Sequence, residues 1–137
     1  MYKPLTMEIY ISEDATIATL QHEFREAYPY LKLECYRQPH GEGQACAVAD
    51  KLPPATPIEE IRMMHNFGWL DIGHHRTAAA VEQDFFRKYG LSVQILRKSG
   101  DLWLQTTATD NWTLGQMNEE GKLAEKNIFY YPEEPVE

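Results

Sequence analysis

Histidines and a nearby aspartate in the segment 65–76 are the side chains best suited to chemistry. This segment contains His65, Asp71, His74 and His75. Neutral imidazole binds metal ions and titrates near neutral pH, so one interpretation is a metal-binding protein or a small enzyme. The spacing matches no zinc signature such as His-Glu-x-x-His, and adjacent histidines point in different directions. The interpretation we favour is a polar loop before a helix, with no catalytic residue, no metal ligand and no cofactor.

The two cysteines are the other reactive side chains. A predicted hairpin with its turn at 39–42 sets Cys35 opposite Cys46. Directly opposed strand residues have Cβ atoms about 4.5–5.5 Å apart, which is slightly long for a disulfide. A single pair of cysteines at this spacing is also not a zinc motif. We therefore interpret both as buried thiols that act as small hydrophobic side chains.

A tandem repeat must position these residues. The segment 16–37 aligns with 77–97 when Pro29 and Tyr30 together are set against the single Gly90. The matching positions include Thr16 with Thr77, Leu20 with Val81, Phe24 with Phe85 and Tyr28 with Tyr89. Repetition of this kind predicts architecture but carries no chemistry. We assign one domain over 1–137, with repeats at 7–64 and 67–121 and a C-terminal tail at 122–137.

Hydrophobic periodicity gives the elements of each repeat. Alternating apolar residues predict strands at 7–11, 31–36, 44–49, 67–72, 91–97 and 101–106. Helical spacing predicts long helices at 15–28 and 77–89, and Gly90 is placed to end the second one in a left-handed conformation. Each repeat closes on a short helix, at 57–64 and from 112 to near 121. The prediction is an α+β fold in which two strand-helix-strand-strand repeats form one sheet of about six strands with both long helices on one face.

The other face of that sheet would be rich in aromatic side chains. A hairpin turn at Ser99-Gly100 sets Leu96 opposite Trp103 on this face. Strand alternation places the other large aromatic side chains there too, among polar residues that include Glu34 and Gln94. This candidate surface consists of Tyr10, Tyr36, Trp69, Leu96 and Trp103. A contiguous aromatic patch calls for a cover or a binding partner. We expect this surface to be covered by the C-terminal tail or by a second copy of the chain in a homodimer, or else to bind a protein partner. The leading function is therefore non-enzymatic binding or self-association.

Charge and composition exclude other classes. The 137 residues carry a net charge of −8, with a pI near 5.1. Binding to nucleic acid or to an anionic membrane needs clustered lysine and arginine, so we expect neither partner. The first residues lack the pattern of a signal peptide, which predicts a cytoplasmic protein.

Part of the sequence is similar to known proteins. The segments 90–94, 97–103 and 109–114 (GLSVQ, RKSGDLW and TDNWTL), followed by Asn118, resemble a small family of uncharacterised bacterial proteins. The earlier segment 28–34 (YPYLKLE) resembles the same family. The similarity extends over most of 7–121 and implies no activity, so it assigns no catalytic residue.

Overall fold

The structure, a computed structural model, describes residues 7–37, 50–105 and 111–130, and residues 126–130 through their backbone only. Its strands are β1 (Glu8–Ile11), β2 (Leu31–Tyr36), β3 (Gly68–Asp71), β4 (Ser92–Ser99) and β5 (Leu102–Gln105). Its α-helices are α1 (Ile17–Ala27), α2 (Ala78–Tyr89) and α3 (Leu114–Tyr130), and a 3₁₀ helix covers Ile58–Glu60. None of the helices in the described part of the chain is both long and apolar enough to span a bilayer.

The strands form two small antiparallel sheets, so the prediction of one sheet of about six strands with two long helices on one face is wrong. β1 pairs with β3, while β2, β4 and β5 form the second sheet in that order. The strands on either side of α1 therefore lie in different sheets, and so do those on either side of α2. The rule that crossovers between parallel strands of one sheet are right-handed does not apply here. A period of two indicates which face of a strand is buried, but it does not indicate the strand's partner. The predicted strand at 44–49 lies outside the described residues.

The hairpin between β4 and β5 turns one residue later than the sequence indicated. Ser99 pairs with Leu102, so Gly100 and Asp101 occupy the turn. Gly100 has φ +64°, while Asp101 has a negative φ, as expected when glycine takes the first central position of a type II′ turn. The partner of each β4 residue moves by two positions, and Leu96 faces Gln105 instead of Trp103. Because the shift is even, every side chain keeps its predicted face.

Local signals account for the helix ends. The side chains of Thr16 and Thr77 accept hydrogen bonds from the backbone N–H groups of Thr19 and Ala80, which caps α1 and α2. Gly90 ends α2 with φ +69°, in agreement with the predicted left-handed stop. By contrast, α3 continues through Gly121, where we expected a stop.

Gly121 allows α3 to pack closely against the chain before β2. A Cβ atom added at Gly121 would lie 2.8 Å from the Cβ of Tyr30 and 3.2 Å from its carbonyl oxygen. The amide of Asn118, one turn earlier on α3, accepts a hydrogen bond from the Tyr30 backbone N–H at 2.8 Å. The glycine therefore serves close packing, a role that sequence pattern does not separate from a helix stop.

Matching backbone hydrogen bonds hold the first turns of α1 and α2. Ile17 N donates to Thr56 O at 3.0 Å, and Ile58 N donates to Ala15 O at 3.0 Å. In the second half, Ala78 N donates to Trp112 O at 3.2 Å, and Leu114 N donates to Arg76 O at 2.8 Å. The start of α1 is thus bonded to the segment that leads into the 3₁₀ helix, and the start of α2 is bonded to the segment that leads into α3.

The core lies between the two sheets and the helices. Its largest fully buried side chains are Phe24, Tyr28, Phe85, Ile11, Ile17, Leu20, Leu31, Leu33, Ile58, Leu70, Ile72 and Leu91. Residues from both sheets and from α1, α2 and α3 contribute to this cluster. The core therefore fixes the β1–β3 ladder relative to the larger sheet, although the strands that the structure describes form no ladder hydrogen bonds between the two sheets.

Candidate functional site

Three exposed aromatic side chains lie on and beside the β1–β3 ladder. Tyr10 and Trp69 are direct cross-strand partners, with ring centroids 5.1 Å apart and an edge-to-face angle of 69°. They are 38% and 59% exposed, and Phe67, just before β3, is 59% exposed. We call Tyr10, Phe67 and Trp69 the aromatic patch. Rings of this size dominate the energetics of protein interfaces, and here they are open to solvent.

Carboxylates surround the aromatic patch. Glu8 and Asp71 are partners in the next outward-facing row of the ladder. Beyond the end of β1, Glu13 and Asp14 are exposed. Together with Tyr10, Ser12 and Phe67, they line a depression of about 350 Å³. The patch therefore presents apolar ring surface beside a rim of carboxylates.

Two residues of the predicted surface are buried. Tyr36 is 4% exposed and Leu96 is 8% exposed. Tyr36 lies in a bridge with Lys51, and Leu96 lies between Lys32 and Gln105 on the neighbouring strands. These two side chains are not available to a partner in the described structure.

Trp103 lies on the other sheet, beneath positive groups of its own chain. Arg25 Cζ lies 4.9 Å from the ring centroid, Lys32 Nζ lies 5.4 Å away and Lys98 Nζ lies 5.8 Å away. Each distance is within the range of a cation–π contact. The structure therefore divides the predicted surface: Tyr10 and Trp69 lie together on β1–β3, and Trp103 is half-buried on β5.

The histidine segment forms local contacts. Asp71 Oδ1 accepts a hydrogen bond from the Gly73 backbone N–H at 2.8 Å, which closes a turn. The His74 ring packs edge-on against the Tyr28 ring with centroids 5.3 Å apart, and His75 is exposed. Among residues 7–37, 50–105 and 111–130 there is no group of three or more His, Cys, Asp or Glu side chains placed to hold a metal ion.

His65 belongs to a separate charged contact. Its Nδ1 meets Glu59 Oε1, while Arg62 Nη2 pairs with Glu59 Oε2. Bonds from Arg62 and then from His65 lower the pKa of Glu59 below its ordinary value. Arg62 Nη1 also donates to Tyr89 O at 3.0 Å, so this contact holds the 3₁₀ helix against the end of α2.

Cys35 is a buried thiol. Val93 faces it on one side, and Leu52 N donates to Cys35 O at 2.9 Å on the other. Burial, and then the neighbouring charge of Glu34, raises the pKa of the thiol to about 12. Cys46, its predicted partner, lies outside the described residues.

A cluster of buried polar side chains that was not predicted from the sequence lies between the larger sheet and the helices. The cross-strand partners Glu34 and Gln94 were predicted on the exposed sheet face, yet they are 5% and 0% exposed. Gln21 Nε2 donates to Glu34 Oε1 at 3.3 Å and to Leu33 O at 2.7 Å. Glu82 Oε2 accepts from Gln94 Nε2 at 3.4 Å and from the Ile95 backbone N–H at 2.8 Å. The signal that could have found it is the alignment of Gln21 with Glu82 and of Glu34 with Gln94.

Comparisons of the chain with protein-family models, with curated proteins and with solved structures found no match.

Proposed function

We propose that this protein is a non-enzymatic binding module and that the aromatic patch is its recognition surface. The observation that carries the proposal is the exposed edge-to-face pair of Tyr10 and Trp69, held at fixed separation by the β1–β3 ladder. Rings fixed on paired strands bind a partner without a further loss of backbone freedom. The occupant is a protein partner or, as a homodimer, a second copy of the chain.

The histidine segment supports the metal or enzyme alternative less well. Asp71 closes a turn, His65 meets Glu59, and the His74 ring packs on Tyr28. These contacts direct the side chains to different neighbours. Metal analysis of the purified protein, repeated on a His74→Ala variant, tests the alternative: a stoichiometric metal lost in the variant would favour it.

The proposal includes a cytoplasmic location and no nucleic-acid or membrane partner. The net charge of −8 supports the absence of polyanionic partners. The buried free thiol of Cys35 is compatible with a reducing compartment. Fractionation of cells that produce the protein tests the location.

The binding experiment is a selection from a displayed peptide library on the wild-type protein. Each selected peptide is then measured on a Tyr10→Thr/Trp69→Thr variant and on a Leu102→Thr control. Threonine keeps a high strand propensity, and Leu102 is an exposed apolar strand residue on the other sheet, so the control matches the change without touching the patch. Thermal unfolding confirms that both variants remain folded.

We expect peptides that bind the wild type and the control and lose at least about tenfold in affinity on the patch variant. Light scattering over a wide concentration range accompanies the selection, because a dimer abolished only in the patch variant would identify a second copy as the occupant. A monomeric protein whose selected peptides bind the patch variant unchanged would overturn the proposal.

A further inference from the structure

In the part of the chain that the structure describes, the outer edge of β1 is open, whereas two outward carbonyl groups of β3 accept side-chain hydrogen bonds. Ile72 N donates to Met7 O at 2.9 Å, so in this register Glu8, Tyr10, Trp69 and Asp71 direct their backbone groups outward. On β3, Tyr89 Oη donates to Trp69 O at 2.6 Å and Arg76 Nη1 donates to Asp71 O at 3.1 Å.

Among the described residues, the outward N–H and C=O groups of Glu8 and Tyr10 have no hydrogen-bond partner. A row of unpaired backbone donors and acceptors on an edge strand is a template for another strand. The side chains of Glu8 and Tyr10 are themselves exposed.

The surroundings of this edge select a positively charged occupant. The depression at the end of β1 combines the rings of Tyr10 and Phe67 with the carboxylates of Glu13 and Asp14. Aromatic faces and carboxylates both attract the lysine ammonium and the arginine guanidinium. A second copy of this chain would bring the same acids and a further charge of −8 to the contact, which disfavours self-pairing here.

We infer that β1 pairs with an extended segment of a partner protein that carries lysine or arginine, with one basic side chain in the depression beside Tyr10 and Phe67. The added strand receives backbone hydrogen bonds from Glu8 and Tyr10, while alternate side chains of the segment reach the aromatic patch. This inference rests on the proposed function and names the partner's chemistry.

The test uses synthetic peptides of about ten residues, a length that spans a strand. The first alternates valine with lysine, the second alternates valine with glutamate, and the third is the lysine peptide with alternate backbone nitrogens methylated to block pairing. Binding of each labelled peptide is measured by fluorescence anisotropy. Amide exchange of Glu8 and Tyr10 is followed with and without the lysine peptide.

Charge variants separate local recognition from bulk attraction. Glu13→Gln/Asp14→Asn removes two carboxylates at the depression, and Glu119→Gln/Glu120→Gln removes two exposed carboxylates on α3. We expect the lysine peptide to bind the wild type and the α3 variant within about twofold of each other, and to lose at least about tenfold on the Glu13/Asp14 variant and on methylation. The Glu8 and Tyr10 amides become protected from exchange.

Equal weakening in both charge variants, equal binding of the methylated peptide, or no binding of the lysine peptide at about 1 mM would each overturn the inference. The proposed function is tested separately, by the library selection. If the library selection yields patch-dependent peptides that are acidic or neutral, the binding module stands and the basic strand does not.

Discussion

The hydroxyl of Tyr28 at the end of α1 donates a hydrogen bond of 2.6 Å to the carbonyl oxygen of Ile72, which follows β3. Tyr89, its counterpart at the end of α2, donates at the same distance to Trp69 O. Both tyrosines therefore attach the β1–β3 ladder to the helices. The burial that this requires, and then the charge of Asp71, raises the pKa of Tyr28 far above its ordinary value.

We expect Tyr28→Phe to lower the free energy of unfolding by about 1–3 kcal/mol, because the Ile72 carbonyl loses a buried donor. Urea unfolding followed by circular dichroism measures the change. Tyr10→Phe is the control, since the Tyr10 hydroxyl makes no hydrogen bond to any described residue. A Tyr28→Phe protein as stable as the wild type would show that the bond contributes nothing net.

The buried cluster gives an asymmetric prediction. Glu82→Ala should cost about 1–3 kcal/mol of stability, because a nearly buried carboxylate that accepts from the Ile95 backbone N–H is removed. Gln21→Ala should cost less, about 0.5–1.5 kcal/mol, because Gln21 is partly exposed. Paired unfolding curves measure both. Equal losses would contradict the difference in burial.

Cys35 should be unreactive while the protein is folded. In a Cys46→Ala background at pH 8, iodoacetamide should alkylate native Cys35 at least about a hundredfold more slowly than the unfolded chain, because the raised pKa leaves little thiolate. A raised pKa contributes stability below the ordinary thiol pKa of 9.0 and loses it as the pH rises above that value. Mass spectrometry against time measures the rate, and similar rates in both states would refute the prediction.

The Glu59 contact predicts a pH dependence of the opposite sign. A lowered pKa contributes stability above the ordinary value of 4.5 and loses it as the pH falls below that value. Glu59→Gln should therefore be less stable than the wild type at pH 6, and the difference should shrink at low pH. Urea midpoints between about pH 3 and 6 measure it. A difference that stays constant with pH would indicate that the carboxylate charge is not involved.

Gly121 tests the packing of α3. Alanine favours a helix by about 1 kcal/mol relative to glycine, yet its Cβ would lie 2.8 Å from the Tyr30 Cβ. We expect Gly121→Ala to destabilise the protein by about 1–3 kcal/mol. Gly115→Ala in the first turn of the same helix is the comparison: its added Cβ lies 3.3 Å from its nearest neighbours on His74, so we expect a smaller loss there. A gain in stability at Gly121 would show that Tyr30 gives way.

Sequence reasoning identified local structure better than partners. The helical spacing of Leu20 and Phe24 and the left-handed stop at Gly90 were readable because they depend on neighbours in the chain. The pairing of Tyr10 with Trp69 was not readable, since an alternating pattern fits any partner strand. Glu34 and Gln94 were assigned to the exposed sheet face from strand alternation, which carries no information on Gln21 and Glu82, the helix side chains that bond them.

In the first half, the helix supplies the amide of Gln21 and the strand supplies the carboxylate of Glu34. In the second half, the helix supplies the carboxylate of Glu82 and the strand supplies the amide of Gln94, so the two halves are complementary at these positions. A chain built from two first halves would place one glutamate opposite another at the paired strands, where like charges repel. A chain built from two second halves would place two glutamines there, with a glutamate on each helix. Only a chain that combines one half of each kind puts an acid opposite an amide, so these four side chains require the two halves to differ.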